Sequence, residues 1–340
     1  MSKKKVALVV CDSGLGHLVR CVKIANELVT KKYVITIYCK ISKLEHIQVK
    51  ISNKIFFKNF VTNHDKNLNF RNFKYNWAER LPNLSKFDLI VCDNLPEILE
   101  KYPKTILIAN FFWHRIIPNF KNFEHVEALL HTHKPLIICN KYVSHKYLST
   151  YNDVKKIGFF SDLAKYKKKN KNFLLLSEGT AHTNPKNKFK LIKYLKEVAI
   201  FFDKIYLDPK YFYDENFYKK IHKFNKKIIL ATYKKGMFSQ ISHAIIKPGL
   251  GLITECISHN VNCLYFYEGF NKEFELNTKK LESYKIGKRL NMLNIKGLKE
   301  ELLDVNSLKK SISIPKIEWS AQKTMLKIIS KKIKSNEKKN

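Results

Sequence analysis

Glycine is scarce in this chain: ten residues in 340, less than half of the roughly 7% that is usual. Against that background the triplet Gly-Leu-Gly occurs twice, in CDSGLGHLVR (Cys11 to Arg20) and in KPGLGLITE (Lys247 to Glu255), and both turns need a physical reason. Arginine is scarce too. Arg20, Arg71, Arg80, Arg115 and Arg289 stand alone among 64 basic residues, so the net charge of +35 is carried by lysine. Groove readers and phosphate clamps rely on the bidentate guanidinium, and this composition argues against nucleic acid as a partner. Scattered lysines do suffice for attraction to an anionic membrane surface.

Long apolar runs are also missing. No stretch approaches the roughly 20 residues that span a bilayer, and the first apolar run, VALVVC, stops at Asp12, too short for the core of a signal peptide. The seven cysteines form no CxxC pair and sit mostly within or beside apolar runs, as buried thiols do in a reducing compartment. A cytoplasmic protein is expected, with any membrane contact peripheral, on the inner face of the cytoplasmic membrane. Neither Gly-Leu-Gly continues to the third glycine of a dinucleotide fingerprint, and GxxxxGK[ST] is absent, which argues against NAD binding and P-loop chemistry. The alternate spacing of His131 and His133 can suit zinc, but with no CxxC or HExxH beside them these are expected to be loop histidines.

What is present is a repeating pattern. KVALVVC, an amphipathic GHLVRCVKIANELVTK and YVITIYC follow one another, with FDLIVCD, KTILIAN and PLIICN further on. Strand, helix, strand in repetition predicts a parallel sheet covered by helices. The length exceeds what one core usually fills, so two domains are expected. The lysine-rich SDLAKYKKKNKN reads as a linker, and FLLLSEGT, KIYLD, KIILAT, HAIIKPG and NCLYFY then form a second series. The predicted division is an α/β domain over 1–160, a linker over 161–172, a second α/β domain over 173–314, and a closing amphipathic helix with its tail over 315–340. That last helix carries Ile317, Met325, Leu326 and Ile329 at helical spacing, and packs either on its own domain or back on the first.

Each Gly-Leu-Gly follows a predicted strand and opens a predicted helix. At the carboxyl end of a strand in an open α/β sheet, glycine lets a ligand approach the backbone, and the helix start offers N–H groups and a positive dipole end to a diphosphate. A tight turn explains a lone GxG equally well, so the surrounding residues decide. SGLGHLVRCVKIANEL resembles the N-terminal GxGHxxR segment of GT-B sugar-nucleotide enzymes, and HAIIKPGLGLITECISHNVNCLYFYEGFNKEFELNTKKLESYKIGKRL resembles their donor-binding half. These patterns are similar to those of the family 28 glycosyltransferases, and the opening also resembles the UDP-sugar hydrolase of pseudaminic acid synthesis. The resemblance covers roughly residues 5–30 and 228–290. It implies two facing Rossmann-like doubly wound domains, the GT-B architecture, the first on the acceptor side and the second binding the nucleotide-sugar donor. It further implies inverting transfer of a hexosyl or N-acetylhexosaminyl group from a UDP-sugar to an envelope polysaccharide or lipid-linked acceptor. With no DxD in the chain, transfer is expected to be metal-independent, with no cofactor beyond the nucleotide sugar itself. A UDP-sugar hydrolase of nonulosonic-acid synthesis and a non-catalytic sugar-nucleotide binder are the alternatives.

The candidate residues follow from the same stretches. His17 stands in the first turn of the first predicted helix, where the positive helix end disfavours the imidazolium and leaves a ring that can accept a proton from a sugar hydroxyl or water; capping the helix or binding phosphate are its other uses. Gly14 and Gly16 line that turn. The resemblance implies that Glu255 holds the ribose hydroxyls, with Gly249, Gly251 and Thr254 along the diphosphate and Gly179 and Thr180 of LLLSEGT cradling donor phosphate; Glu255 as a partner of the helix dipole is the plainer alternative. It also implies Tyr233 and Met237 near the base, and Glu273 and Asn277 on the donor sugar, although Phe274 stands where glutamine is common. Asp93, Trp113 and His114 follow first-domain strands and are candidates for the acceptor side, with Asp93 and His114 as reserve bases.

Overall fold

The computed structural model describes residues 3–62, 77–118, 120, 122–164, 171–178, 195, 198–208, 211, 219, 227–267, 272–290, 300 and 317–337. The chain divides into two compact units, Met1–Phe160 with Glu318–Asn340, and Ser161–Ile317.

In the first unit the apolar runs become strands because each is buried on both faces. β1 (Lys5–Val10) is buried from Val6 onward, and its alternation divides the core: Val6, Leu8 and Val10 enter one cluster, Ala7 and Val9 the other. β2 (Val34–Cys39), β3 (Ile55–Asn59), β4 (Leu89–Asp93), β5 (Ile106–Ile108), β6 (Leu136–Asn140) and β7 (Asp153–Ile157) complete a sheet of order β3-β2-β1-β4-β5-β6-β7. Every pairing in it is parallel. The amphipathic pattern after the first glycine triplet forms α1 (Gly16–Thr30), which buries Leu18, Cys21, Val22, Ile24, Ala25 and Leu28. α2 (Trp113–Ile116) and α3 (Phe123–His133) belong to the same unit. His131 and His133 lie in the last turn of α3, not in a loop; the apolar pattern of Val126 and Leu130 carries the helix past them.

The second unit holds β8 (Phe173–Ser177), β9 (Lys204–Leu207), β10 (Ile228–Leu230), β11 (Ile241–Ile246), β12 (Asn262–Tyr265) and β13 (Lys288–Arg289), in the order β10-β9-β8-β11-β12-β13. These pairings are again parallel. α4 (Lys235–Phe238), α5 (Leu250–Ser258) and α6 (Lys272–Ser283) lie between its strands in the chain.

The closing helix α7 (Ala321–Glu337) belongs to the first unit, where Met325, Ile329 and Ile333 join the cluster beneath α1. Burial of each such side chain contributes about 1.5–3 kcal/mol. The return is fixed where the chain passes its own earlier strand: Phe159 donates its N–H to the Glu318 carbonyl at 2.9 Å, and Ala321 donates to the Phe159 carbonyl at 3.0 Å. A Cβ at Gly158 would collide with the Glu318 backbone, so glycine is required there.

Candidate active site

Both sheets reverse strand order once, between β1 and β4 in the first unit and between β8 and β11 in the second. Ligands of open α/β sheets gather at the carboxyl ends of the strands beside such a reversal. The two Gly-Leu-Gly turns follow β1 and β11, so each borders the reversal of its own sheet.

In the first unit Gly14 takes φ of +76°, a left-handed turn that glycine adopts without strain. The turn delivers the chain into α1 with Gly16 as its first residue and no side-chain cap on its N-terminus. His17 and Arg20, one helical turn apart, both reach Asp93 at the end of β4. His17 Nδ1 lies 2.8 Å from Asp93 Oδ1, while Arg20 donates from Nε to Oδ2 at 2.9 Å and from its terminal nitrogen to Oδ1 at 2.5 Å. The Cys21 thiol donates to Oδ2 at 3.5 Å. Burial alone would push the Asp93 carboxyl up, but the Arg20 guanidinium and the hydrogen bonds from Arg20 and His17 outweigh it and hold the group down at about 2. Since Asp93 is then a carboxylate and accepts only, a neutral His17 ring bonds it through a proton on Nδ1 and leaves Nε2 as the acceptor. The His17 side chain keeps 18% of its exposure while that of Asp93 has none.

Asp93 is therefore the partner of His17 rather than a separate base. His114 occupies a different cluster: its Nε2 meets Glu127 Oε1 at 2.6 Å, Arg115 grips both oxygens of Glu127 at 2.7 and 2.6 Å, and Tyr151 donates its hydroxyl at 2.8 Å. Burial pushes the His114 imidazole down to about 4, and its side chain is 1% exposed. That arrangement ties α2 to α3 and to Tyr151, and it leaves the ring closed to solvent. Trp113, half-buried, meets Phe111 edge to face at 4.9 Å between ring centres.

In the second unit the N-cap Gly249 has φ of −85°, and a Cβ there would meet nothing within 4 Å. Neither turn geometry nor packing explains this glycine. The loop before it is pinned by Lys247 donating its N–H to the Ser177 carbonyl at 3.0 Å and by Asn277 Nδ2 donating to the Pro248 carbonyl at 3.0 Å. Asn277 is buried, and its Oδ1 has no partner. Gly251 and Thr254 lie on α5, where the Thr254 hydroxyl donates to the Leu250 carbonyl at 2.7 Å; that hydroxyl serves its own helix. Glu255 is the sixth residue of α5, beyond the first turn where a helix dipole acts on charge. Its Oε1 accepts from Ser161 Oγ at 3.5 Å.

Tyr233 adopts φ of +54°, and its hydroxyl lies 2.9 Å from Ser177 Oγ. Ser177 donates to Asp208 Oδ1 at 2.7 Å and the Glu178 N–H donates to Oδ2 at 2.8 Å. Sequence reasoning did not single out Asp208; a carboxylate closing the run KIYLD at a strand end was the available signal. Met237, which the resemblance places near the base, is buried on α4. Glu273 is half-buried on α6. Phe274, in the position where glutamine was expected, takes the Lys247 ammonium over its ring at 4.5 Å. Gly179 and Thr180 lie outside the described residues. Among the described residues no group of three or more His, Cys, Asp or Glu is placed to hold a metal ion.

No protein-family model and no curated protein matches the sequence. Solved structures do match along nearly the whole chain. LpCGTa in complex with UDP is similar with a TM-score of 0.65 at 13% identity, over 98% of this chain and 99% of that one. The glycotransferase of kitacinnamycin gives 0.67 at 10% identity, over 98% and 100%. CalG4, the calicheamicin glycosyltransferase, gives 0.66 at 12% identity, over 98% and 99%. At these identities the likeness is one of fold: two Rossmann-like domains, as in GT-B glycosyltransferases.

Proposed function

We propose that this protein is a nucleotide-sugar glycosyltransferase in which His17 is the general base. The observation that carries the proposal is the ordered pair of His17 and Asp93 at the strand reversal of the first unit, in a chain with the fold of proteins that include a UDP complex. Nε2 of His17 accepts the proton of the attacking hydroxyl as its oxygen bonds to the anomeric carbon, and the bond from that carbon to the diphosphate oxygen breaks. Asp93 fixes the ring orientation through its contact with Nδ1. One displacement of this kind inverts the anomeric centre.

The second unit is the proposed donor site. The open space at Gly249 suits a phosphate approaching the backbone, and the uncapped start of α5 favours its charge. Glu255, beyond the reach of the helix dipole, has two oxygens that match the two adjacent hydroxyls of ribose. The helix start, Thr180 and nearby lysines would stabilise the departing UDP without a metal ion. Uracil beside Tyr233, and the donor sugar at Glu273 and Asn277, complete the assignment. A hexose or N-acetylhexosamine as donor sugar and an envelope polysaccharide or lipid-linked acceptor rest on the resemblance to family 28 enzymes alone. The cytoplasmic, membrane-peripheral setting rests on the unpaired cysteines, the short apolar runs and the lysine excess of the sequence; no described helix is long and apolar enough to cross a membrane. Binding to anionic vesicles that weakens with salt is expected, and equal binding to neutral vesicles refutes the membrane part.

A panel of nucleotide sugars tests the whole. UDP and one UDP-sugar should raise the melting temperature, since a ligand at 100 times its dissociation constant stabilises the fold by about 2.7 kcal/mol, and turnover should persist in EDTA. Fast release of free sugar with no acceptor present identifies a hydrolase instead. Tight UDP binding with no turnover of any donor identifies a binder.

A further inference from the structure

Asp93 has two partners besides His17, the Arg20 guanidinium and the Cys21 thiol, where a histidine–carboxylate pair needs none. Both oxygens of the carboxylate are engaged by Arg20, at 2.9 and 2.5 Å, and His17 shares Oδ1. The Arg20 terminal nitrogen also stands 3.2 Å from His17 Nδ1. Both nitrogens carry hydrogen in the neutral state of the ring, so this approach brings a positive charge against the imidazole without a bond between them. Arg20 is itself fixed, with its side chain 13% exposed and its guanidinium 5.9 Å from the centre of the Phe160 ring.

We propose that Arg20 is a positioning residue that acts through Asp93 to keep His17 an uncharged proton acceptor. The proposal rests on His17 being the base and assigns the device that keeps the base available. A buried carboxylate facing a histidine alone favours the imidazolium, and the resulting ion pair has no lone pair to offer. With the guanidinium on the same carboxylate, the two fixed charges cancel, and the His17 ring faces a neutral pair rather than a net negative charge. The cluster is then neutral before proton capture and carries one positive charge after it, as the diphosphate departs with added negative charge.

The other ionisable groups around the pair do not supply this balance. Burial pushes the thiols of Cys11, Cys21 and Cys92 well above their ordinary range, so they are uncharged. Glu97, on the 3-10 helix Pro96–Glu100 that follows β4, is pushed up by burial to about 7. Asp12, at the end of β1, accepts the Thr62 N–H at 2.9 Å, and the Lys43 ammonium donates to the Asp12 carbonyl oxygen.

The test follows the His17 ring by NMR in the full chain, with its resonance assigned by comparison with His17→Ala. In Arg20→Met the midpoint of the ring titration should move up by about one pH unit or more, the size of shift that a neighbouring charge produces. In Arg20→Lys, which keeps a cation, it should stay near the parent value. An unmoved or lowered midpoint in Arg20→Met overturns the proposal. Should that variant fail to fold, the parent decides through the nitrogen shifts of its neutral ring: a proton on Nδ1 is expected, and a proton on Nε2 overturns it. These readouts need no substrate, so they stand apart from the base assignment, which fails separately if His17→Ala retains full turnover.

Discussion

At the scale of single residues the two units have different chemistry to test. In the second unit, Glu255→Ala should weaken UDP binding by about 1–3 kcal/mol, the cost of leaving hydrogen-bonding groups unpaired, with the fold intact; calorimetry that finds UDP affinity unchanged removes Glu255 from the ribose. In the first unit the Asp93 carboxyl is lowered from 3.8 to about 2 in the folded protein. Because the folded value is the lower one, the stabilisation is complete above pH 4 or so and is lost as pH falls through about 2. Asp93→Asn leaves the Arg20 guanidinium buried without its countercharge, a loss of about 3–5 kcal/mol at neutral pH. Urea melts should show that deficit narrowing as pH falls over this range; a constant deficit contradicts the account. GxGHxxR singled out His17 as a candidate, but its contact with Asp93 was not legible. The contact spans 76 positions in sequence and exists because β1 and β4 are neighbours in the sheet, an order that no local pattern records. The contact of His114 with Glu127 was hidden for the same reason, since Glu127 belongs to a helix whose placement the sequence does not specify.

At the scale of elements, the central strands were plain because burial on both faces leaves unbroken apolar runs such as VALVV and LIVC. The edges were not. β3 has one buried residue, Ile55, and β13 is the two residues Lys288–Arg289, so neither leaves the signature of a core strand. The closing helix was readable as a helix but not as to destination, because an amphipathic face is the same whichever sheet receives it. Its packing makes a specific demand. Met325→Ala should destabilise the protein by about 2–5 kcal/mol through the cavity left beneath α1, seen as a lower midpoint in chemical unfolding. A change within about 0.5 kcal/mol would place the helix on the surface.

At the scale of the molecule, the repeated Gly-Leu-Gly has one explanation in both halves. Each turn follows a strand beside the place where the strand order of its sheet reverses, which is where an α/β sheet holds a ligand. Composition was a poor guide to this. The charge of +35 says nothing about which end of a sheet is used, whereas the two turns in a glycine-poor chain mark the strand ends beside each reversal. In the proposed function the nucleotide rests on the second unit, and His17 of the first takes the proton. The most direct test is His17→Ala, with UDP affinity and turnover of a UDP-sugar measured on the same preparation. Turnover should fall by about 10² to 10⁴, the usual contribution of a positioned general base, while UDP affinity stays at the parent value. Weakened UDP binding with normal turnover at saturating donor would make His17 a phosphate ligand and contradict the account.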